Sequence, residues 1–415
     1  MNPNYILFAI PFFLLSVVGE WLHNYLKHRN DFSFADSITN LNTGIGSQAA
    51  NALFKAMLLM LFGWMKDHFA VIQIGFSWWS FLACTILFDY LFYWAHRWGH
   101  EMNLFWGAHI VHHQSEEYNL TVALRQSWFH NVLAFPIFLP IPLLGFDMPT
   151  FGAAAGLVTL YQYWIHTKLI DRMPAWFEYI FNTPSHHRVH HATNPQYLDK
   201  NYGAMFILWD RLHGTFAKEE EEPVYGITVP LRSWNPVWAN LHFYVEMWEG
   251  SKRLRTIREK LALIFRGPEY LGEVLGLGSK DPDAFRHVPK YATATPLNLR
   301  IYVCIQFLVL TYFLAAYMGQ FAELTMFYRF AFFFLVIIST LSMGALLENR
   351  EWFYITEIAR FLMFVPVYGL CYYSYFPDWY PAALPFSIGI SVVSTAWMLI
   401  DLLVIRPQRQ AQQVP

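Results

Sequence analysis

Three histidine clusters stand out: His96-Arg97-Trp98-Gly99-His100, His109-Ile110-Val111-His112-His113 and His187-Arg188-Val189-His190-His191. They lie in a stretch, residues 95–191, that holds eleven of the chain's seventeen histidines. Neutral imidazole is the commonest protein metal ligand, and side chains three or four apart on a helix share a face, so each cluster can aim two or three nitrogens at one point. Burying so many imidazoles without a cation is costly, so the clusters together read as a metal site. They supply eight ligands (His96, His100, His109, His112, His113, His187, His190 and His191), and His166 in Trp164-Ile165-His166-Thr167 adds a ninth. A structural zinc closes with four ligands and a catalytic zinc keeps three, so nine imidazoles exceed one metal and fit two. Imidazole serves iron, copper, nickel and zinc alike, and the spacing leaves the element open. No HExxH run is present, which argues against a zincin protease.

Carboxylates stand close by. Asp89 lies two helical turns before His96 and shares its face, so it is expected to orient a ligand imidazole; Glu101 follows His100 and is expected to accept from a ligand N–H or relay protons. These two are the candidate catalytic acids. His186 and Asn201 are alternate or supporting groups, since only one of the adjacent His186 and His187 need point inward. His23, His28, His68, His130, His213, His242 and His287 read as interfacial hydrogen-bonding anchors.

The elements that must position these residues are membrane helices. Of 415 residues 55% are hydrophobic and 14% charged, against about 25% charged in a soluble protein. The net charge of -2 and the lack of a basic, aromatic-interleaved patch exclude nucleic acid as a partner. Cys84, Cys304 and Cys371 sit in apolar stretches without CxxC spacing, which reads as packing rather than disulfides or thiolate ligands. A span needs about 20 apolar residues, and about nine such stretches are expected, at residues 5–25, 44–64, 75–94, 131–146, 150–166, 299–318, 325–346, 352–373 and 382–404. The fourth carries Pro136, Pro140 and Pro142 and is expected to be broken. The first apolar run follows no basic segment and no small-residue cleavage site, so it reads as a span rather than a signal peptide.

Orientation follows from charge. Lys27, His28 and Arg29 close the first span, and residues 168–300 carry 17 of the chain's 28 basic residues, whereas loops 319–324 and 377–380 carry none. By the positive-inside rule all three clusters face the cytoplasm. The expectation is an all-α, polytopic membrane helical bundle with a cytoplasmic-face, histidine-rich di-metal site. Its parts are a transmembrane hairpin (1–75), a catalytic domain with a cytoplasmic helical cap (76–298) and a four-span region (299–415) that lacks histidine and serves packing, substrate access or dimer contact. Within the cap, Glu219 to Glu222 reads as a solvated turn, residues 251–265 as one amphipathic helix lying on anionic lipid or on the domain, and 267–295 as a linker. A metal transporter would place polar groups at midspan rather than at one face.

The pattern HxxxH, HxxHH, HxxHH resembles the membrane-bound fatty acid hydroxylase and sterol desaturase superfamily. The strings His100-Glu101-Met102-Asn103, Glu116-Glu117-Tyr118-Asn119-Leu120, Ala123-Leu124-Arg125-Gln126-Ser127, Asn182-Thr183-Pro184-Ser185-His186-His187 and Asp199-Lys200-Asn201-Tyr202-Gly203 are similar to the alkylglycerol monooxygenase family within it. The similarity in detail covers residues 89–216. It implies an enzyme that uses two iron ions, dioxygen as co-substrate and tetrahydrobiopterin as electron donor to hydroxylate the ether-linked carbon of an alkylglycerol lipid; the resulting hemiacetal falls apart to a fatty aldehyde and a glycerol derivative. The alternative is a sterol or fatty acyl hydroxylase or desaturase fed by a reductase. A reductase or pterin-recycling partner and a homodimer follow from the same resemblance. One departure is that some superfamily members place a second histidine shortly after the position of His166, where this chain has Lys168-Leu169-Ile170-Asp171. Arg125, Lys200 and Arg188 are expected either to hold a headgroup oxygen or to form interfacial ion pairs.

Overall fold

The computed structural model describes residues 5–277, 289–378 and 380–406; His287, part of the expected linker and the tail beyond Arg406 lie outside them. The chain divides into two compact units, residues 8–292 and residues 293–415 with 1–7. Among the described residues there is no strand, only isolated bridges such as Ile74 with Phe146.

The first unit begins with α1 (Tyr5–Leu26), α2 (Phe34–Phe69), α3 (Trp78–Glu101) and α4 (Asn103–His113). The short α5 (Leu120–Ala123), α6 (His130–Ala134) and α7 (Pro140–Leu144) lead to α8 (Met148–Trp164). Then come α9 (Ala175–Ile180), α10 (Pro184–His190), α11 (Leu208–His213), α12 (Pro236–Arg253), α13 (Ile257–Phe265) and α14 (Pro268–Leu275). Ser77 and Ser80 cap α3 reciprocally, and the extended Met102 ends it. The chain thereby folds α4 back along α3, and a Cβ at Gly99 would lie 3.3 Å from the His109 ring. An apolar core of Phe62, Phe88, Phe135, Phe146 and Val158 packs beneath.

Four expectations need correction. The span expected at 44–64 begins ten residues earlier: residues 34–43 are the first turns of α2, capped by Ser33 and burying Asp36, Thr39, Asn40, Asn42 and Thr43. They are polar because they face a buried network, not water. The helix expected over 251–265 divides after Arg253, because Thr256 and Glu259 form a capping box that starts α13 afresh. The 267–295 linker holds a helix, α14. Finally, five helices rather than nine are long and apolar enough to cross a membrane among the described residues. α1 supplies an apolar 22-residue helix over the first expected span. The fourth span is helix, 3₁₀ turn and helix, interrupted at its prolines, α8 has only 17 residues, and α3 is diluted by Asp89, Arg97 and its tryptophans and tyrosines.

The second unit holds α15 (Leu297–Gln320), α16 (Met326–Leu347), α17 (Phe353–Tyr375) and α18 (Tyr380–Ile400). All four belong to apolar helices of spanning length, which makes the chain an integral membrane protein. Inside this unit Arg360 donates to Glu357 at 2.6 Å and to Gln306 at 2.8 Å, Tyr302 donates to Glu357, and Gln306 donates to Ser394 at 2.8 Å. The buried charges are thus paired and hydrogen-bonded, as an apolar surrounding demands.

Candidate metal centre

All nine histidines come together, and the fold sorts them into two groups. His96, His100, His109, His113 and His190 form one; His112, His166, His187 and His191 form the other; within each, the ligating nitrogens lie within 4.8 Å of one another. α3 supplies the first pair and the end of α8 supplies His166, while α4 and α10 feed both groups. On α4 the i, i+4 pair His109 and His113 goes to the five-histidine group and His112 to the other. On α10 the sense reverses: His187 and His191 go to the four-histidine group and His190 to the five. A helix advances about 100° per residue, so i+4 lies about 40° to one side of i and i+3 about 60° to the other; the last two histidines of an HxxHH run therefore diverge by about 100°, and each run reaches two centres.

The nitrogens are spaced for a cation. Nε2 atoms approach at 2.9 Å (His96 and His109), 3.0 Å (His109 and His113), 3.1 Å (His112 and His166), 3.0 Å (His166 and His187) and 3.2 Å (His187 and His191). Two nitrogens at right angles about a metal at about 2.1 Å are about 3.0 Å apart. The tautomers agree. The Nδ1–H groups of His96, His112, His166 and His190 donate to the carbonyls of Tyr202 (2.7 Å), Arg125 (2.9 Å), Gln162 (2.7 Å) and Lys200 (3.0 Å). That leaves each Nε2 with its lone pair aimed inward. His112 and His166 therefore face each other lone pair to lone pair, which a shared cation makes favourable. The buried Nε2 atoms of His100 and His190 have no protein hydrogen-bond partner. Burial, and then the neighbouring imidazoles, hold His109, His113, His187, His190 and His191 well below the usual histidine range; burial brings His112 down to about 4. All six are neutral, the form a metal takes. The residues present fit two metal ions.

A loop behind α10 holds the acceptors. Asp199 and Asn201 both take left-handed backbone with φ of 58°, which turns the carbonyls of Lys200 and Tyr202 onto His190 and His96. The Asn201 side chain secures this, donating to the carbonyls of His186 (3.0 Å) and Ala217 (2.8 Å) and accepting from Ala217 N–H at 2.9 Å. Asp210 accepts from Tyr202 N–H (2.8 Å) and Gly203 N–H (2.7 Å). Asp89 accepts from the N–H groups of Met205 (2.8 Å) and Phe206 (3.1 Å) and from Trp209 Nε1 (2.8 Å). Its carboxylate is therefore directed to this loop rather than to an imidazole.

Glu101 sits at the rim, partly exposed, accepting from Arg97 Nε at 2.8 Å. His186 stands outside both groups, its ring edge-on to Phe216 at 5.3 Å. Arg125 is buried and fully engaged, donating to Val111 O (2.6 Å), Asn40 Oδ1 (3.0 Å) and Gln114 Oε1 (2.6 Å). Arg188 likewise holds Glu219 (2.6 Å) and the carbonyls of Ile170 (2.7 Å) and Asp171 (2.6 Å). Neither guanidinium is available for a headgroup, and Glu219 is tied down rather than sitting in a free solvated turn.

Three supports were missed in sequence. His130, read as an interfacial anchor, lies with its ring 5.7 Å from that of His109. Asp36 accepts from Ser115 Oγ (2.6 Å) and Asn40 Nδ2 (2.8 Å), bracing Arg125 and thus the carbonyl that holds His112. Glu20 accepts from Leu120 N–H at 2.7 Å and from the Thr167 hydroxyl, joining α1 to the residue after His166. An acid within an expected span was the available signal for Glu20.

Comparison with known proteins agrees with this geometry. The fatty acid hydroxylase family model matches residues 81–215. The chain is 32% identical over 380 residues to alkylglycerol monooxygenase of Homo sapiens, covering 88% of this chain and 83% of that one. It is 31% identical over 413 residues to alkylglycerol monooxygenase of Danio rerio, covering 96% and 89%. A shorter likeness, 33% over 158 residues, links it to lathosterol oxidase of Rattus norvegicus, covering 37% and 47%. No solved structure matches the chain at a significant level. With two histidine groups inside the matched segment and the likeness running nearly end to end, the chain belongs to the alkylglycerol monooxygenase family, a branch of the fatty acid hydroxylases.

Proposed function

We propose that this protein is a membrane monooxygenase that hydroxylates the ether-linked carbon of alkylglycerol lipids, with two iron ions held by the two histidine groups. The observation that carries the reading is the gathering of nine imidazoles, five and four, at nitrogen spacings suited to metal ligation. Bound iron supplies oxygen activation: with two electrons and two protons, one atom of dioxygen enters the C–H bond and the other leaves as water. The hemiacetal formed then splits into a fatty aldehyde and a glycerol derivative.

The chain's own residues prepare this. Carbonyl tethers keep the imidazoles from rotating, and the buried Val111, Ile165, Val189, Tyr118 and Tyr202 exclude water around them. Glu101, at the rim beside His100, is our candidate for passing protons inward, and Asp89 acts as a positioning residue through the 205–209 loop. His96, His100, His109, His113 and His190 form one proposed ligand set, and His112, His166, His187 and His191 the other. Residues 76–298 form the proposed catalytic portion. Tetrahydrobiopterin is the proposed electron donor. We place the histidine face on the cytoplasmic side, a reading supported by the 17 basic residues between 168 and 300.

The test is direct. Protein purified in detergent is assayed for iron and then given alkylglycerol, oxygen and tetrahydrobiopterin; aldehyde release is the expected result. Full iron with no aldehyde, but turnover of a sterol or acyl lipid with a reductase, would replace the ether-lipid reading with that of the shorter lathosterol oxidase likeness.

A further inference from the structure

α12 has two faces of different character. Ala239, Asn240, His242, Phe243 and Gly250 are buried. On the other side Trp238, Leu241, Val245 and Trp248 recur at steps of three and four residues and are 38–64% exposed. A helix side that meets water carries charged and polar residues. This one is apolar from its first turn to Trp248, and Lys252 follows, its ammonium 5.4 Å from the Trp248 ring and paired at 2.6 Å with Glu249. α13 continues the pattern with Ile257, Leu261 and Phe265, 50–76% exposed and four residues apart, beside Arg258 and Lys260. Residues 236–266 carry six Lys and Arg against three Glu, net +3 in a chain of net -2.

Tryptophan and basic residues concentrate at membrane–water boundaries, and a helix with an apolar stripe and a cationic edge lies in the plane of that boundary. We propose that α12 and α13 lie in the headgroup–acyl boundary of an anionic phospholipid leaflet, apolar stripes inward to the lipid, as the wall between that leaflet and the histidine helix α4. The inner side of the wall is close-fitted. The Tyr244 ring of α12 fills the space at Gly107 of α4, where a Cβ would lie 2.7 Å from it. Gln114 at the end of α4 donates to the Ala239 carbonyl at 3.0 Å, and Asn240 accepts from Trp128 N–H at 2.9 Å. One helix thickness, about 10 Å, thus separates lipid from α4. Charge decides the occupant: two copies of this face would bring two net-positive rims together, whereas an anionic leaflet complements them.

The test uses the full-length, metal-loaded protein in nanodiscs, with the exposed Cys304 replaced by serine and single cysteines introduced by V245C, L261C or, as a water-facing control, E220C. Nitroxide labels are read for collision with dissolved oxygen, which partitions into lipid, and with a water-soluble nickel chelate. Expected is oxygen in excess of nickel at 245 and 261, and the reverse at 220. Reversing the rim with R255E/R258E/K260E moves the 261 label toward nickel in discs containing phosphatidylglycerol and leaves it unmoved in phosphatidylcholine alone. Nickel-dominated labels at 245 and 261 place the face in water and overturn the proposal. Exclusion of both reagents together with dipolar coupling between labels identifies a second copy as the occupant and overturns it equally. An identical response of the charge variant in both lipids removes the anionic requirement.

Discussion

The Nε2 atoms of His112 and His166 stand 3.1 Å apart, and both rings donate their Nδ1–H to backbone carbonyls. Neither nitrogen has a proton to offer the other, so this contact between α4 and the end of α8 is cohesive only when a cation sits between them.

Metal removal should therefore loosen the protein. Treating it with a chelator is expected to lower its melting temperature in detergent, and iron(II) should restore it, because ligand binding to the folded state alone adds stability. A melting temperature indifferent to chelator would count against a metal-held fold.

His166→Ala removes one ligand from the four-histidine group and leaves the five-histidine group intact. The expected outcome is loss of that group's metal, weaker retention of the other, and loss of aldehyde formation. Metal analysis beside the activity assay reads both, and unchanged iron content with activity would remove His166 from the site.

Asn201 tests the carbonyl-presenting loop. Asn201→Ala loses three side-chain hydrogen bonds and puts a Cβ residue without a local polar group at positive φ, so it should cost about 1–2 kcal/mol more than Asn201→Gly. Both should weaken metal binding by about 10- to 100-fold, because the tethers of His96 and His190 loosen. Thermal unfolding separates the two variants, and metal titration measures the shared loss.

Arg125 and Asp36 are two buried charges linked through Asn40. Arg125→Met alone leaves Asp36 uncompensated and should destabilise by about 3–5 kcal/mol. Adding Asp36→Asn should recover part of that loss. Additive effects in the double-mutant cycle would show that the two charges do not act together.

The sequence disclosed the ligands but not their arrangement. His109, His112 and His113 announce themselves because helical periodicity is written in spacing. Their division between two groups is not, since it depends on how α4 crosses α10. The acceptors at Arg125, Gln162, Lys200 and Tyr202 are backbone carbonyls, which leave no trace in residue type. Asp36 and Asn40 fall outside the expected span at 44–64 because polarity usually means solvent, and here it means a buried brace. The span count ran high because apolar composition describes surroundings rather than continuity. Prolines break the 131–146 run, and α8 stops at 17 residues against the protein's own core.

Because α4 and α10 each serve both histidine groups in opposite sense, neither position can be assembled without drawing the other toward its final shape. Filling one prepays the alignment of two helices for the next, so half-loaded molecules should be scarce and the loading curve sigmoidal. A cell short of the metal would then hold two populations, full and empty, rather than many copies carrying one ion each.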